Sequence, residues 1–178
     1  MRVISGLRRG LKLNAPQGVH TRPTTDRVKE SVFNIIQFSF PAERVLDLFA
    51  GSGALGIEAL SRGAKHCVFV DADMAAFRLV KENLRLARFE EQATVLNQQA
   101  ERFLSSCNEG FDVIFLDPPY NQGFLKPILD TIVEKSLLNE DGILVIETEL
   151  GGEEIPPTPF SVKKSVAYGK TVITILKR

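Results

Sequence analysis

The sequence predicts an α/β domain built on a mainly parallel sheet. Short, β-rich apolar runs alternate along it with longer stretches of helical periodicity. The first core run ends in a glycine-rich turn, Gly51-Ser52-Gly53-Ala54-Leu55-Gly56, and the fourth ends in Asp117-Pro118-Pro119-Tyr120. Open α/β sheets build their sites at such carboxyl ends of strands.

Taken in order, residues 2–13 alternate short apolar and basic positions around Gly6 and Gly10, a pattern that closes a small hairpin. Thr25-Asp26 reads as a helix start, followed by Val28, Val32, Phe33, Ile35 and Ile36 at helical spacing. Residues 1–40 therefore form a basic appendage on a core of residues 41–178, and residues 1–178 form one domain. The core opens with a strand at 44–49 and a helix at 53–62 stopped by Gly63. A strand at 66–71 precedes an amphipathic helix at 73–87 capped by Asp73. A third strand at 93–97, a short helix at 99–106 and a fourth strand at 111–117 follow. A helix at 124–136 leads to the fifth strand at 142–147. Gly151-Gly152 and Pro156-Pro157-Thr158-Pro159 then break the pattern, and runs at 162–168 and 171–177 pair as a hairpin around Gly169-Lys170. Five strands with helices plus a terminal hairpin is the layout of the Rossmann-like class I methyltransferase fold. Its seven-stranded, mostly parallel sheet takes one antiparallel strand from that C-terminal hairpin.

Of the 178 residues, 44% are hydrophobic and 25% charged, which suits a soluble globular protein. No apolar run reaches the length of a membrane span, and the opening residues carry no secretory leader, so a cytoplasmic protein is expected. Cys67 and Cys107 have no metal-ligand spacing and read as buried, reduced thiols. The net charge is zero, yet residues 1–30 carry +5 through Arg2, Arg8, Arg9, Lys12, Arg22, Arg27 and Lys29 against Asp26 and Glu30. Residues 161–178 carry another +5 from Lys163, Lys164, Lys170, Lys177 and Arg178. Two basic ends make a polyanion-facing surface if they meet in the fold. Arg8, Arg9, Lys12, Arg22 and Arg27 are the candidate phosphate contacts. Arg22 and Arg27 equally suit ion pairs with Asp26 and Glu30. His20 and His66 have no partner pattern, and Tyr168 reads as hairpin packing.

Gly51, Gly53 and Gly56 fit G-x-G-x-x-G, and Asp71 lies twenty positions after Gly51, at the end of the second strand. Glycines let the backbone turn sharply and approach a ligand, and an acid at that strand end can hold two ribose hydroxyls. Both features suit NAD and S-adenosylmethionine alike, and so specify an adenosine-type ligand. Asp47 tips the balance towards S-adenosylmethionine, because a carboxylate beside the loop suits an ammonium group and not a pyrophosphate. Asp47 also fits a local cap of the loop, and Asp71 a helix cap. A dehydrogenase would need a larger catalytic portion than this chain has.

The Asp117-Pro118-Pro119-Tyr120 loop is stiff, and its prolines leave carbonyls free to accept. The carboxylate and a proline carbonyl can accept the two hydrogens of an exocyclic amine while the tyrosine ring stacks on the base. A plain strand-ending turn uses the same residue types.

With both loops in view, the chain resembles the small-subunit (16S) rRNA guanine-N2 methyltransferase family, RsmD type, over nearly its whole length. The resemblance rests on Arg2-Val3-Ile4-Ser5-Gly6, Arg9-Gly10, the run from Arg22 to Glu30, the run from Val45 to Gly56, and Leu116-Asp117-Pro118-Pro119-Tyr120. It implies methyl transfer from S-adenosylmethionine to the exocyclic N2 of one guanine in 16S rRNA, in small-subunit particles or assembly intermediates. It also implies that Asp47, Gly51, Ser52, Gly53 and Asp71 line the cofactor site. Asp117, Pro118, Pro119 and Tyr120 would line the target site. Gln99 and Ala100 would meet the adenine, where many such enzymes have Asp-Ala. A monomer without metal or membrane contact is expected. Rival readings are an adenine-N6 or protein-glutamine amino-methyltransferase, a nucleotide-dependent oxidoreductase, and a non-catalytic rRNA assembly factor.

Overall fold

The computed structural model describes residues 1–16, 26–119 and 123–178. Its core alternates β1 (Arg44–Leu48), α2 (Ala54–Ser61), β2 (His66–Asp71), α3 (Met74–Ala87), β3 (Ala93–Asn97), α4 (Ala100–Ser106), β4 (Phe111–Leu116), α5 (Leu125–Glu134) and β5 (Leu138–Glu149). Helix α1 (Asp26–Ile35) precedes them, and β6 (Ser161–Tyr168) and β7 (Thr171–Lys177) close the chain. The seven strands lie in the order β3-β2-β1-β4-β5-β7-β6. The first five run parallel, while β7 is antiparallel to both β5 and β6. The predicted class I architecture is therefore present.

The central strands read as unbroken apolar runs because helices cover both faces. One face packs Phe33, Ile57, Phe69 and Phe115 under α1, α2 and α3. The other packs Phe103, Phe111, Ile128 and Ile132 under α4 and α5. Strand β5 is longer than the predicted 142–147. Its leading residues look like a turn (Asn139-Glu140-Asp141-Gly142), yet they continue the strand through a register shift opposite Phe111 and Val113, with Asp141 at φ +62°. The trailing end is carried to Glu149 by pairing with Thr171 of β7. Edge strand β6 exposes Lys163 and Lys164 beside a second register shift, between Val162 and Lys164. Both cysteines are buried and unpaired with each other.

The N-terminal segment forms the expected small hairpin. Arg2 and Lys12 bridge antiparallel, Val3 N–H donates to Leu11 O (2.9 Å), and Gly10 N–H donates to Val3 O (2.8 Å). Its turn presses onto α2. At Gly6, with φ +81°, a Cβ would lie 1.8 Å from the Ser61 carbonyl oxygen, so only glycine fits.

Glu58 of α2 holds this segment in place. Its two oxygens accept from Ile4 N–H (2.7 Å) and Ser5 N–H (3.0 Å), and Oε1 also accepts from Arg62 Nε (2.8 Å). Lys29 of α1 comes within 3.4 Å of Oε2 and donates to Arg2 O (2.5 Å). Both Lys29 and Glu58 side chains are fully buried. Burial pushes the Lys29 ammonium below its ordinary value, and Glu58 opposes that shift.

Removing one member of a buried ion pair strands the other charge and costs about 3–5 kcal/mol. Glu58→Ala is expected to lose about that much in urea unfolding, and adding Lys29→Met should restore part of it. A loss below about 1 kcal/mol would show that the pair contributes little.

Candidate active site

Strands β2 and β4 flank β1 on opposite sides, so the chain reverses its winding direction between β1 and β4. In doubly wound sheets the crevice at the carboxyl ends of two such strands is where ligands bind. The glycine turn and the Asp117 loop leave from the two sides of that crevice.

The glycine turn is fixed from below. Phe49 (φ +69°) and Ala50 both donate to Val70 O at 3.0 Å. Gly51 has φ +55°, and a Cβ there would meet nothing within 4 Å, so this residue borders open space. Gly56 has the opposite task. A Cβ there would lie 2.2 Å from the Phe69 ring, so its absence lets α2 sit close on β2.

Asp47 is buried beneath the turn, and its Oδ2 accepts from Gly56 N–H (2.9 Å). Of its two readings from sequence, the geometry is that of the cap: the carboxylate anchors the first turn of α2. Burial pushes it from 3.8 up to about 7; the Gly56 N–H pulls the other way, and the nearby Asp71 charge adds to the rise. Asp71 stands at the mouth. Its Oδ2 accepts from Gly51 N–H (2.8 Å) and its Oδ1 from Asp73 N–H (2.9 Å). The helix-capping role belongs to Asp73, whose Oδ1 accepts from Ala75 N–H (2.8 Å). Beyond β3, Gln99 is exposed at the start of α4 without a side-chain cap bond, and Ala100 is buried.

Asn83 is a residue that sequence reasoning missed. It is fully buried on α3; its Nδ2 donates to Ser52 O (2.9 Å) and to Asn14 O (3.0 Å), and its Oδ1 accepts from Asn14 N–H (2.8 Å). It ties the glycine turn to the appendage. The available signal was a polar residue within the apolar stripe of α3, between Val80 and Leu84 and Ala87.

Across the crevice, β4 ends at Leu116 and delivers Asp117, with Pro118 buried and Pro119 exposed. Burial pushes the Asp117 carboxyl well above the usual range, and the charges of Glu147 and then Asp47 push it further. Glu147, also missed from sequence, is buried near the end of β5. Together with Pro118, Pro119, Leu125, Thr148, Glu149 and Glu153 it lines a small recess open to solvent. Tyr120 and Arg22 lie outside the described residues, as does His20.

The basic residues separate into two groups. Arg2 pairs with Asp26 (3.2 Å), Lys29 is internal, and Arg8 donates from Nε to Ala87 O (2.5 Å) with its guanidinium over the Phe89 ring. Arg8 is thus committed to packing, and Asp26 is taken by Arg2 and not by Arg27. Arg9, Lys12 and Arg27 are exposed. Tyr168 does pack in the hairpin, and its hydroxyl shares a hydrogen bond with Ser31 of α1, which brings the terminal hairpin against the appendage. No described helix is long and apolar enough to cross a membrane.

Comparison with known proteins places this geometry. A Bacillus subtilis protein named putative rRNA methyltransferase YlbH is 48% identical over 183 residues, covering 100% of this chain and 99% of its own. A Haemophilus influenzae protein named ribosomal RNA small subunit methyltransferase D is 37% identical, covering 95% of this chain and 89% of its own. A solved structure described as putative methyltransferase yhhF from Escherichia coli superposes with a TM-score of 0.89 at 34% identity, over 100% of this chain and 97% of that one. A family model described as Conserved hypothetical protein 95 matches residues 1–177. The chain belongs to this family, the RsmD type of rRNA methyltransferase. In an RsmD-type chain the appendage is part of the family pattern, since the match starts at residue 1.

The raised Asp47 gives a pH signature. The folded protein holds this proton more tightly than the unfolded chain does. Asp47 therefore favours folding fully below about pH 4, and that contribution is lost as pH rises through about 7. Without ligand, the Tm of the protein minus that of Asp47→Asn is expected to fall across this window. A difference independent of pH would show that Asp47 titrates as an ordinary carboxyl.

Proposed function

We propose that this chain transfers the methyl group of S-adenosylmethionine to the exocyclic N2 of a guanine in 16S rRNA, acting on small-subunit particles or their assembly intermediates. The observation that carries the reading is the position of Asp117 and Pro118 at the end of β4, facing the glycine turn across the crevice. An acceptor pair for an amine thus stands opposite a cradle for an adenosine-type ligand.

The residues present fit this cofactor. Gly51 borders open space, and Asp71 presents a carboxylate at the mouth for ribose hydroxyls. Asp47, Asp71 and Asp117 stand in no ion pair among the described residues, a deficit of positive charge, and burial first and neighbouring acids second hold Asp47 and Asp117 above their ordinary values. A sulfonium relieves that deficit, whereas the pyrophosphate of a dinucleotide would add to the negative charge. Bound there, S-adenosylmethionine supplies the methyl group and its own leaving-group activation.

The protein supplies alignment, electrostatics and a proton acceptor. The guanine N2 lone pair is delocalised into the ring. Asp117 and the Pro118 carbonyl, accepting its two N–H bonds, favour a tetrahedral nitrogen whose lone pair points at the methyl carbon. Once methylated, the amine would have a proton to shed, and Asp117, already accepting its N–H, would take it. The raised basicity of this carboxyl suits the task. The base reaches the crevice unpaired or flipped, and stacking on Tyr120 returns roughly 1–3 kcal/mol. Arg9, Lys12 and Arg27 on the appendage, with Arg22, hold phosphates.

Labelled S-adenosylmethionine offered with unmodified small subunits, naked 16S rRNA and duplex DNA tests the reading. N2-methylguanosine is the expected product, and N6-methyladenine would overturn the choice of base. Asp117→Ala is expected to lower turnover by at least about 10²–10⁴-fold, with cofactor affinity close to wild type. Wild-type turnover in that variant would remove Asp117 from the chemistry.

A further inference from the structure

We infer that the outward side of α3 and the N-terminal hairpin form one continuous tract for RNA phosphates, made by Arg78, Lys81, Arg85 and Arg88 with Arg9 and Lys12. The inference rests on the proposed reading for its ligand, the rRNA around the target nucleotide, and adds to that reading a surface on α3.

Helical spacing builds the tract. Helix α3 turns Val80, Asn83, Leu84 and Ala87 into the core. Arg78, Lys81 and Arg85 follow one another at intervals of three and four on the outward side, so each turn sets out one cation, and Arg88 follows at the cap. All four are exposed, and none stands in an ion pair among the described residues. Lys81 Nζ lies 5.4 Å from the centre of the Phe77 ring, a contact that holds the ammonium without neutralising it. Glu82, the one acid of α3, stands four positions after Arg78 and three before Arg85, yet pairs with neither. On α5 the same spacing is used, and Lys126 pairs with Asp130 at 2.7 Å. The helix dipole accounts for cations at the end of a helix, here Arg85 and Arg88. It gives no reason for Arg78 and Lys81, which lie before the last turn.

The hairpin is fastened against the same helix. Arg8 Nε donates to Ala87 O (2.5 Å), and Asn14 exchanges hydrogen bonds with Asn83. Arg9 and Lys12 are exposed between these two anchors. Cations from two separate segments therefore share one side of the molecule. A row of cations one helical turn apart matches an extended polyanion. It fits RNA and not a bilayer, because the apolar face that would enter a membrane is turned into the core. The tract also starts at the crevice. Asp73, which caps α3, donates its N–H to Asp71 at the mouth (2.9 Å). At 1.5 Å per residue, Arg78 lies about 8 Å and Arg85 about 18 Å along the helix from that cap. The tract thus leads away from the mouth, and it positions RNA beside the target nucleotide without touching the reacting atoms.

The test measures binding to unmodified small subunits and to naked 16S rRNA over a range of KCl concentrations. Wild type is compared with Arg78→Gln, Arg85→Gln and the double variant. Arg102→Gln is the control, since Arg102 is exposed on α4, across the sheet from α3. Each α3 substitution is expected to weaken binding about five- to tenfold at 0.1 M salt and to lower the slope of log K against log salt by about 0.7–0.9. The double variant should lose about twice that slope and show a raised KM for RNA, with kcat, cofactor affinity and Tm close to wild type. Arg102→Gln should change none of these. An unchanged slope in the double variant, or an equal loss in Arg102→Gln, would overturn the inference. So would wild type that binds neither RNA, or an effect confined to particles, which would give the stripe to a ribosomal protein. Binding is read without turnover. Wild type that binds but forms no N2-methylguanosine therefore removes the proposed reaction, while the slopes still decide the tract.

Discussion

The fold depends on a single buried carboxylate. Glu58 receives two backbone N–H groups, a guanidinium and an ammonium, all away from water. Each partner comes from a place that would otherwise be loose: the first strand of the N-terminal hairpin, the end of α2, and α1. A charge this deep tolerates few arrangements, because any partner that withdraws leaves an unsatisfied ion behind. The appendage is therefore specified to one position and not merely adsorbed. The helix that carries Glu58 begins at the glycine turn, so the same rigid segment sets the position of the appendage and of the cofactor cradle. Asn83 makes the connection a second time, through Ser52 and Asn14.

At the other end of the sheet the logic is reversed. Asp47, Asp71 and Asp117 gather where β1, β2 and β4 end, and none of the three stands in an ion pair among the described residues. Burial holds Asp47 and Asp117 above their ordinary values, and neighbouring acids add to the rise. A cluster of like charges that costs stability is a mark of a site shaped for a ligand. The contrast with Glu58 is one of charge: Glu58 meets a guanidinium and an ammonium, whereas Asp47 and Asp71 are held by backbone N–H groups.

Most of the fold was legible because its signals were local. Strand and helix periods, Gly63, the Asp73 cap and the Gly169-Lys170 turn each act within a few residues, and all mark elements close to where they occur. β5 was underestimated because Asn139-Glu140-Asp141-Gly142 has turn chemistry, and the strand bulges past these residues, its register with β4 passing from Leu138 to Ile143. The two loops of the site were legible as motifs, and their meeting followed from topology. What the sequence hid was every role that depends on distant partners. Lys29 looked like one of seven surface cations and is internal; Arg8 looked like a phosphate contact and is committed to Ala87 and Phe89. Glu147 looked like the polar end of a strand. No spacing rule announces a contact made across 29 positions of chain, as between Lys29 and Glu58.

The last strand shows how one run of charge can serve two ends. β6 is an outer strand of the sheet, with one row of backbone groups that no other strand among the described residues meets. Such an edge invites another chain to add on and so seeds aggregation. Lys163 and Lys164 set cations on that row, and the register shift beside them interrupts the regular spacing a second strand would have to match. The basic tail thus disfavours the addition of a further strand at this edge, whether or not nucleic acid touches it.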